Sequence, residues 1–195
     1  MTQDLSAVDW PVRTERLLFR PATVEDIEAI WQIRRMPSVA EWMTAASGDL
    51  EDFRTEFAKP ARMDRTLALE LEGELIGDLM IMIDSPWSQA EVTEQAKDTQ
   101  AELGWVIAPV HAGRGYATEA ARALIRVCFE DLGLRRVYAQ CFAANEASWR
   151  IMEKLGMRRE EYAVRESLHR SGEWLDGMRY ALLADEWEPG SGSQG

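Results

Sequence analysis

The chain has 195 residues, 22 basic against 34 acidic, for a formal net charge of −12 with both histidines neutral. That length suits one domain able to bury roughly 70% of its unfolded surface without disulfides or metal; 46% hydrophobic and 29% charged residues exclude a disordered chain. The acidic balance argues against nucleic acid as the partner, because phosphate binding wants clustered Lys and Arg, yet one local basic patch can still hold a small anion.

In chain order, residues 1–12 read as an N-terminal extension, with acidic Asp4 and Asp9 and no apolar core of a signal peptide. Arg16-Leu-Leu-Phe-Arg-Pro-Ala is a first strand halted by Pro21. Thr23-Val-Glu-Asp26 is a capping box, so a helix follows through Ile27, Ile30, Trp31 and Ile33 to near Pro37. A second helix runs through Leu50, Phe53 and Phe57 and stops at Pro60. Leu67, Leu69 and Leu71 alternate as a half-buried strand; Glu72-Gly-Glu turns the chain, and residues 75–83 complete a hairpin. Residues 84–100 are polar, acidic and weakly periodic, and read as a long loop.

Glu102-Leu-Gly-Trp-Val-Ile-Ala is the next strand, ended by Pro109. After a glycine turn, Ala120, Ala121, Leu124, Cys128 and Leu132 keep helical spacing to Gly133. Residues 136–142 form a short apolar strand, and Asn145 caps a helix with Trp149, Met152 and Leu155 that stops at Gly156. Two long strands hinged at His169-Arg-Ser-Gly follow to about Trp187, and residues 188–195 read as a flexible tail. Cys128 and Cys141 lack metal-ligand spacing and read as core residues of a reducing compartment. No run approaches the ~20 apolar residues a bilayer span needs, so a cytoplasmic protein with no membrane partner is expected. One domain over residues 13–187 is expected, a mixed sheet with helices on its faces.

The sharpest local signal is Val106-Ile-Ala-Pro-Val-His-Ala-Gly113-Arg-Gly115-Tyr-Ala-Thr-Glu119. Two glycines between a strand and a helix let successive N–H groups converge, and the helix adds its positive end, which suits a phosphate. His111 and Arg114 add side-chain donors. A P-loop needs Lys then Ser or Thr after its last glycine, where Tyr116-Ala117 stands; a Rossmann fingerprint needs a third glycine where Thr118 stands.

Gly113-Arg-Gly115-Tyr-Ala117-Thr-Glu-Ala, preceded by Leu-Gly-Trp-Val-Ile-Ala-Pro, resembles motif A of the GNAT superfamily of acyl-CoA-dependent N-acyltransferases. Asn145-Glu-Ala-Ser148-Trp-Arg-Ile-Met-Glu-Lys-Leu-Gly-Met resembles motif B, and Thr14-Glu-Arg-Leu-Leu-Phe-Arg-Pro-Ala resembles the Rim-type branch named for ribosomal-protein N-terminal acetyltransferases. The resemblance implies an α/β (α+β) GNAT fold: a mixed, mostly antiparallel sheet of about seven strands, split at a central parallel pair and flanked by about four helices. It also implies that acetyl-CoA is the co-substrate, without a metal. Its pyrophosphate would lie on His111, Gly113, Arg114, Gly115, Tyr116 and Ala117, its pantetheine along Val106, Ile107 and Ala108, with Asn145 contacting the arm or holding the motif B turn. Val110 stands where the superfamily carries Gln or Arg.

Acyl transfer to an amine needs a neutral nucleophile, an oxyanion stabiliser and a proton for the thiolate. At pH 7 an N-terminal amine is neutral roughly 15% of the time and a lysine about 0.04%. The resemblance places a thiolate-protonating tyrosine where Met152 stands; in the Rim-type branch a serine three residues after the asparagine hydrogen-bonds the thiolate instead, and Ser148 matches it. The candidate bases are Glu102, where the resemblance implies a base acting through water, and Glu166, on the strand where the Rim-type branch carries an amine-binding glutamate; Asp176 and Tyr180 are second-line, and His169 reads as structural. Trp31, Trp42, Trp87 and Trp174 are candidates to border an acceptor groove, while Trp105 and Trp149 lie in the motifs.

The expectation is an acetyl-CoA-dependent N-acetyltransferase acting on a primary amine, a protein N-terminus or a small molecule, by direct attack in a ternary complex. The alternatives are a non-catalytic acyl-CoA-binding or regulatory domain of the same fold, and a nucleotide-binding module. A homodimer is common in this branch.

Overall fold

The computed structural model describes residues 5–188; the expected tail from 189 onward and the first four residues of the extension lie outside them. One eight-stranded sheet runs in the order β1-β2-β3-β4-β5-β6-β8-β7. Its strands are β1 Val12–Arg13, β2 Leu17–Pro21, β3 Thr66–Leu71, β4 Glu74–Asp84, β5 Gln100–Ile107, β6 Arg136–Phe142, β7 Arg158–Leu168 and β8 Trp174–Leu183. The α-helices are α1 Ile27–Arg34, α2 Pro37–Ala40, α3 Leu50–Phe57, α4 Pro60–Met63, α5 Thr93–Ala96, α6 Tyr116–Arg126 and α7 Glu146–Lys154. The sheet is mostly antiparallel, with β5 and β6 as the parallel pair, which makes it the expected mixed GNAT fold.

The backbone groups into two compact units, residues 8–81 with 104–123, and residues 5–7, 82–103 and 124–188. In the first unit, Leu17 and Phe19 of β2 point inward while Leu18 and Arg20 lie half-exposed, an alternation that the run Leu17-Leu18-Phe19 does not display in sequence. Thr23–Asp26 forms the expected capping box, on a 3-10 turn, Val24–Asp26, that runs into α1: the Asp26 carboxylate accepts from the Thr23 N–H at 2.8 Å, and Arg20 adds a 2.7 Å ion pair to it. Ile27, Ile30, Phe53 and Phe57 then form a core with Ala22 and Ala68, against which Trp31, Met63 and Leu75 pack. Gly77 is required for close approach, because a Cβ there would lie 2.0 Å from the Val106 carbonyl oxygen of the neighbouring β5.

The first unit also buries an ion pair that hydropathy hides. Arg34 of α1 is 7% exposed and Asp78 of β4 is 1% exposed. Arg34 Nε donates to Asp78 Oδ1 at 2.9 Å, and Nη2 pairs with Oδ2. Burial alone would lower the Arg34 pKa, but Asp78 outweighs it and raises it.

In the second unit, β5 pairs with β6 through Gln100↔Arg136, Ala101↔Val137 and Glu102↔Tyr138. Val137 and Ala139 of β6 are buried, whereas Arg136, Tyr138 and Gln140 line its other face. The chain after α6 continues as a π-helical turn, Val127–Asp131, which buries Cys128. Residues 84–100 are not all loop: β4 extends to Asp84, and α5 forms a single exposed turn with no buried residue. The eighth strand is β1, only two residues long and paired Val12↔Phe19 and Arg13↔Leu18.

Candidate active site

The glycine turn is built in the first unit. Pro109–His111 is a short 3-10 turn, in which His111 N–H donates to Ala108 O at 2.9 Å. Gly113 and Gly115 then adopt φ +76° and +81°, the left-handed region that lets the chain reverse into α6. Glu119 N–H closes the first turn of that helix onto Gly115 O at 3.0 Å. The His111 and Tyr116 rings lie 6.3 Å apart, tilted by 59°, and Arg114 is exposed. His111 Nδ1 is buried with no hydrogen-bond partner among the described residues. A buried nitrogen without a partner, two left-handed glycines and the positive end of an 11-residue helix fit a pyrophosphate. Val110 is 70% exposed and its side chain contributes no donor.

The strand before the turn has divided duties. Ala108 N–H donates to Ile76 O at 2.8 Å, and the Val106 carbonyl is directed to Gly77. Alternation along β5 then turns the Ile107 N–H toward the strand's other edge.

Behind the turn lies an arrangement that sequence reasoning did not assign. Thr14 and Leu17 close the β1–β2 hairpin, with Thr14 N–H donating to Leu17 O at 2.9 Å. The Glu119 carboxylate accepts from Thr14 Oγ1 at 2.5 Å, from Arg16 N–H at 2.9 Å and from Arg16 Nε at 2.7 Å. Arg16 Nη1 donates to the Arg114 carbonyl at 3.1 Å, and its guanidinium lies 4.5 Å from the Tyr116 ring centroid. Burial pushes the Glu119 carboxyl up, but the hydrogen bonds from Thr14 and Arg16 hold it below its ordinary value. The signal was present: Arg16 and Glu119 sit in two of the three motifs quoted above, and their separation of 103 positions hid the pairing.

In the second unit, Asn145 Oδ1 accepts from Ser148 N–H at 3.3 Å, the expected N-cap of α7. Ser148 also hydrogen-bonds Cys141, whose thiol burial pushes up to about 11. Burial raises the Cys128 thiol still further. Met152, at the position of the missing tyrosine, is 1% exposed and packs in the core.

On the other face of β6, Glu102 Oε1 accepts from Gln140 Nε2 at 3.0 Å, and Gln140 accepts from Arg179 at 3.3 Å. Tyr138 beside them donates to Asp84 at 2.5 Å; burial and that carboxylate raise the phenol well above its ordinary value. Neither Tyr138 nor Asp84 carries a motif signal.

Glu166 lies exposed on an irregular stretch of β7, where the register slips between Ala163 and Ser167 and Arg165 has φ +51°. Asp176 pins that bulge, accepting from Arg165 N–H at 2.8 Å and from Tyr162 Oη at 2.6 Å. The Glu166 carboxylate lies over Gly177, where an added Cβ would come within 3.0 Å of it. Tyr180 is 1% exposed and donates to Glu153 at 3.1 Å, so it is a core residue. His169 packs edge-on to Phe142 at 5.4 Å. Trp31 and Trp42 are half-buried, and Trp87 and Trp174 are 90% and 58% exposed. Among the described residues, no group of three or more His, Cys, Asp or Glu is placed to hold a metal ion. No helix among them is long and apolar enough to cross a membrane.

Residues 16–158 match the acetyltransferase (GNAT) domain. The chain belongs to the GNAT acetyltransferase family. It is 29% identical to the uncharacterized N-acetyltransferase YnaD of Bacillus subtilis over 180 residues, 90% of this chain and 98% of that one. The crystal structure of a GNAT-family acetyltransferase from Bacillus anthracis superposes with a TM-score of 0.75 at 31% identity, covering 90% of this chain and 99% of that one. The ribosomal protein uS5-alanine N-acetyltransferase of Escherichia coli is 32% identical over 88 residues, 45% of each chain. GNAT enzymes use acetyl-CoA and act on amines, so this chain is an N-acetyltransferase by family.

Proposed function

We propose that residues 13–187 act as one cytoplasmic acetyltransferase domain, which transfers an acetyl group to a primary amine by direct attack in a ternary complex. The observation that carries this reading is the turn at residues 109–117, where left-handed Gly113 and Gly115 precede α6 and His111 Nδ1 is buried without a partner. Acetyl-CoA, when bound, supplies an activated acetyl thioester. The amides of residues 113–117 and the side chains of His111 and Arg114 hold its pyrophosphate, and Val106, Ile107 and Ala108 lie along its pantetheine. Ala108 N–H is already given to Ile76, so Ile107 N–H is the donor for the thioester carbonyl as charge develops on its oxygen.

Ser148 donates a hydrogen bond to the departing thiolate, which takes its proton from solvent water. Asn145 keeps Ser148 in place by capping α7. Glu102, oriented by Gln140, removes the amine proton through water, and Glu166 binds the incoming amine. An acyl-cysteine route is disfavoured because a thiol near 11 is ionised to only about one part in ten thousand at pH 7.

The acceptor is a cationic amine, either a small molecule or a protein N-terminus. The net charge of −12 attracts such a group, and the relative named for uS5-alanine acetylation supports a protein acceptor. Initial rates measured with both substrates varied test the reaction order: intersecting double-reciprocal lines are expected, and parallel lines would refute direct attack. Ser148→Ala should lower kcat about 10- to 100-fold while changing acetyl-CoA affinity less than about threefold. An unaltered kcat removes Ser148 from the mechanism. A non-catalytic acyl-CoA-binding domain is the second reading, favoured by buried Met152 in place of the tyrosine acid.

A further inference from the structure

The carboxylate of Glu119 presents a problem for an anion site. It sits in the first turn of α6, the helix whose N-terminal amides would receive the pyrophosphate, and a negative charge there opposes a second one. Arg16 answers this twice. It pairs with Glu119 at 2.6 Å, and its remaining arm reaches the backbone of the turn, donating to the Arg114 carbonyl at 3.1 Å.

That second contact has a geometric consequence. The peptide between Arg114 and Gly115 is planar and trans, so its N–H points opposite to its C=O. Holding the Arg114 carbonyl toward Arg16 therefore turns the Gly115 N–H away from Arg16. Gly115, at φ +81°, leaves this peptide free to flip unless something holds it. Thr14 and the Arg16 N–H hold the other carboxylate oxygen of Glu119, so the β1–β2 hairpin, the ion pair and the turn form one hydrogen-bonded unit.

We propose that Arg16 is a positioning residue for the cofactor: braced by Glu119, it fixes the Arg114–Gly115 peptide with its N–H presented to the pyrophosphate. The inference rests on the reading of residues 109–117 as the pyrophosphate seat. It requires arginine specifically. Arg16 uses three separate nitrogens for these contacts, whereas lysine offers one nitrogen and can keep the pairing with Glu119 but not the Arg114 carbonyl as well.

The test is calorimetric titration of the full chain with CoA and with pantetheine, which lacks the pyrophosphate, on the wild type, Arg16→Lys, Arg16→Ala and Gly115→Glu, each checked by thermal melting. Arg16→Lys and Arg16→Ala should both weaken CoA binding about tenfold and change pantetheine binding less than twofold. Should Arg16→Ala fail to fold, Arg16→Lys, which keeps the ion pair, carries the test alone. If Arg16→Lys binds CoA like the wild type while Gly115→Glu does not, the positioning role falls and the seat stands. Parallel losses for CoA and pantetheine in the folded Arg16 variants also overturn it. If Gly115→Glu binds CoA normally, the seat itself is wrong and the proposal goes with it.

Discussion

Gly115→Glu is expected to weaken CoA binding at least a hundredfold, about 2.7 kcal/mol, while the protein stays folded. Two effects combine. Gly115 holds φ +81°, where a side chain costs roughly 1–2 kcal/mol, and the nearest atom to an added Cβ is Arg16 Nη2 at 3.5 Å. The new carboxylate therefore competes with Glu119 for Arg16 and brings negative charge onto the turn proposed to receive a pyrophosphate. Gly115→Ala separates strain from charge: it meets the same ordinary 3.5 Å contact, keeps the backbone amide, and should lose about tenfold or less. Calorimetry with CoA on both variants, with melting curves to establish the fold, checks the pair. Equal affinities in Gly115→Glu and the wild type remove the turn from the cofactor site.

Asp78→Ala should be the most destabilising of the single substitutions considered, by about 3–5 kcal/mol, because it strands a buried guanidinium. Arg34 is 7% exposed, and its guanidinium lies 5.4 Å from the Phe57 ring centroid, as does that of Arg62. Burial together with Arg34 and Arg65 already lowers the Arg62 pKa and Asp78 opposes that, so removing Asp78 takes away a charge that offsets both guanidiniums. For a chain of this size each kcal/mol moves the melting temperature by roughly 2–4 °C, so a fall of about 10 °C is expected. Arg34→Met should cost a comparable amount by leaving Asp78 unpaired. The double variant Arg34→Met with Asp78→Leu should recover most of the loss, because well-packed apolar groups replace a buried pair at little cost. Additive losses in the cycle closed with the single Asp78→Leu variant would show that the two side chains are not coupled.

Neither large effect was equally legible in the sequence. Gly115 announces itself, since a strand stop, two glycines and a helix start leave few conformations, and the structure gives both glycines positive φ. The same local logic located β2 to β8, the Thr23–Asp26 start of α1 and the Asn145 cap, all of which depend on neighbours in the chain. The Arg34–Asp78 pair has no such signature: its members are 44 positions apart, and each resembles a surface charge until the fold buries it. Arg16 and Glu119 were quoted within motifs, yet only the fold brings the β1–β2 hairpin to α6. Two-residue β1 is too short to alternate, and α5 buries nothing, so neither produces a hydrophobic period. The bulge at Ala163–Ser167 was equally hidden, because it depends on Asp176 across the hairpin rather than on a glycine in β7.

The proposed enzyme meets its anionic co-substrate with backbone amides and a helix end, and its surplus carboxylates are proposed to suit a cationic acceptor. The most direct test is the release of free CoA thiol from acetyl-CoA, followed with and without each member of a panel of amines: N-terminal peptides, polyamines, aminoglycosides and amino acids. The account predicts amine-dependent thiol release with at least one cationic member, abolished in Gly115→Glu. Tight CoA binding with no amine-dependent release from any of them would contradict it and leave a domain that binds acyl-CoA without transferring it.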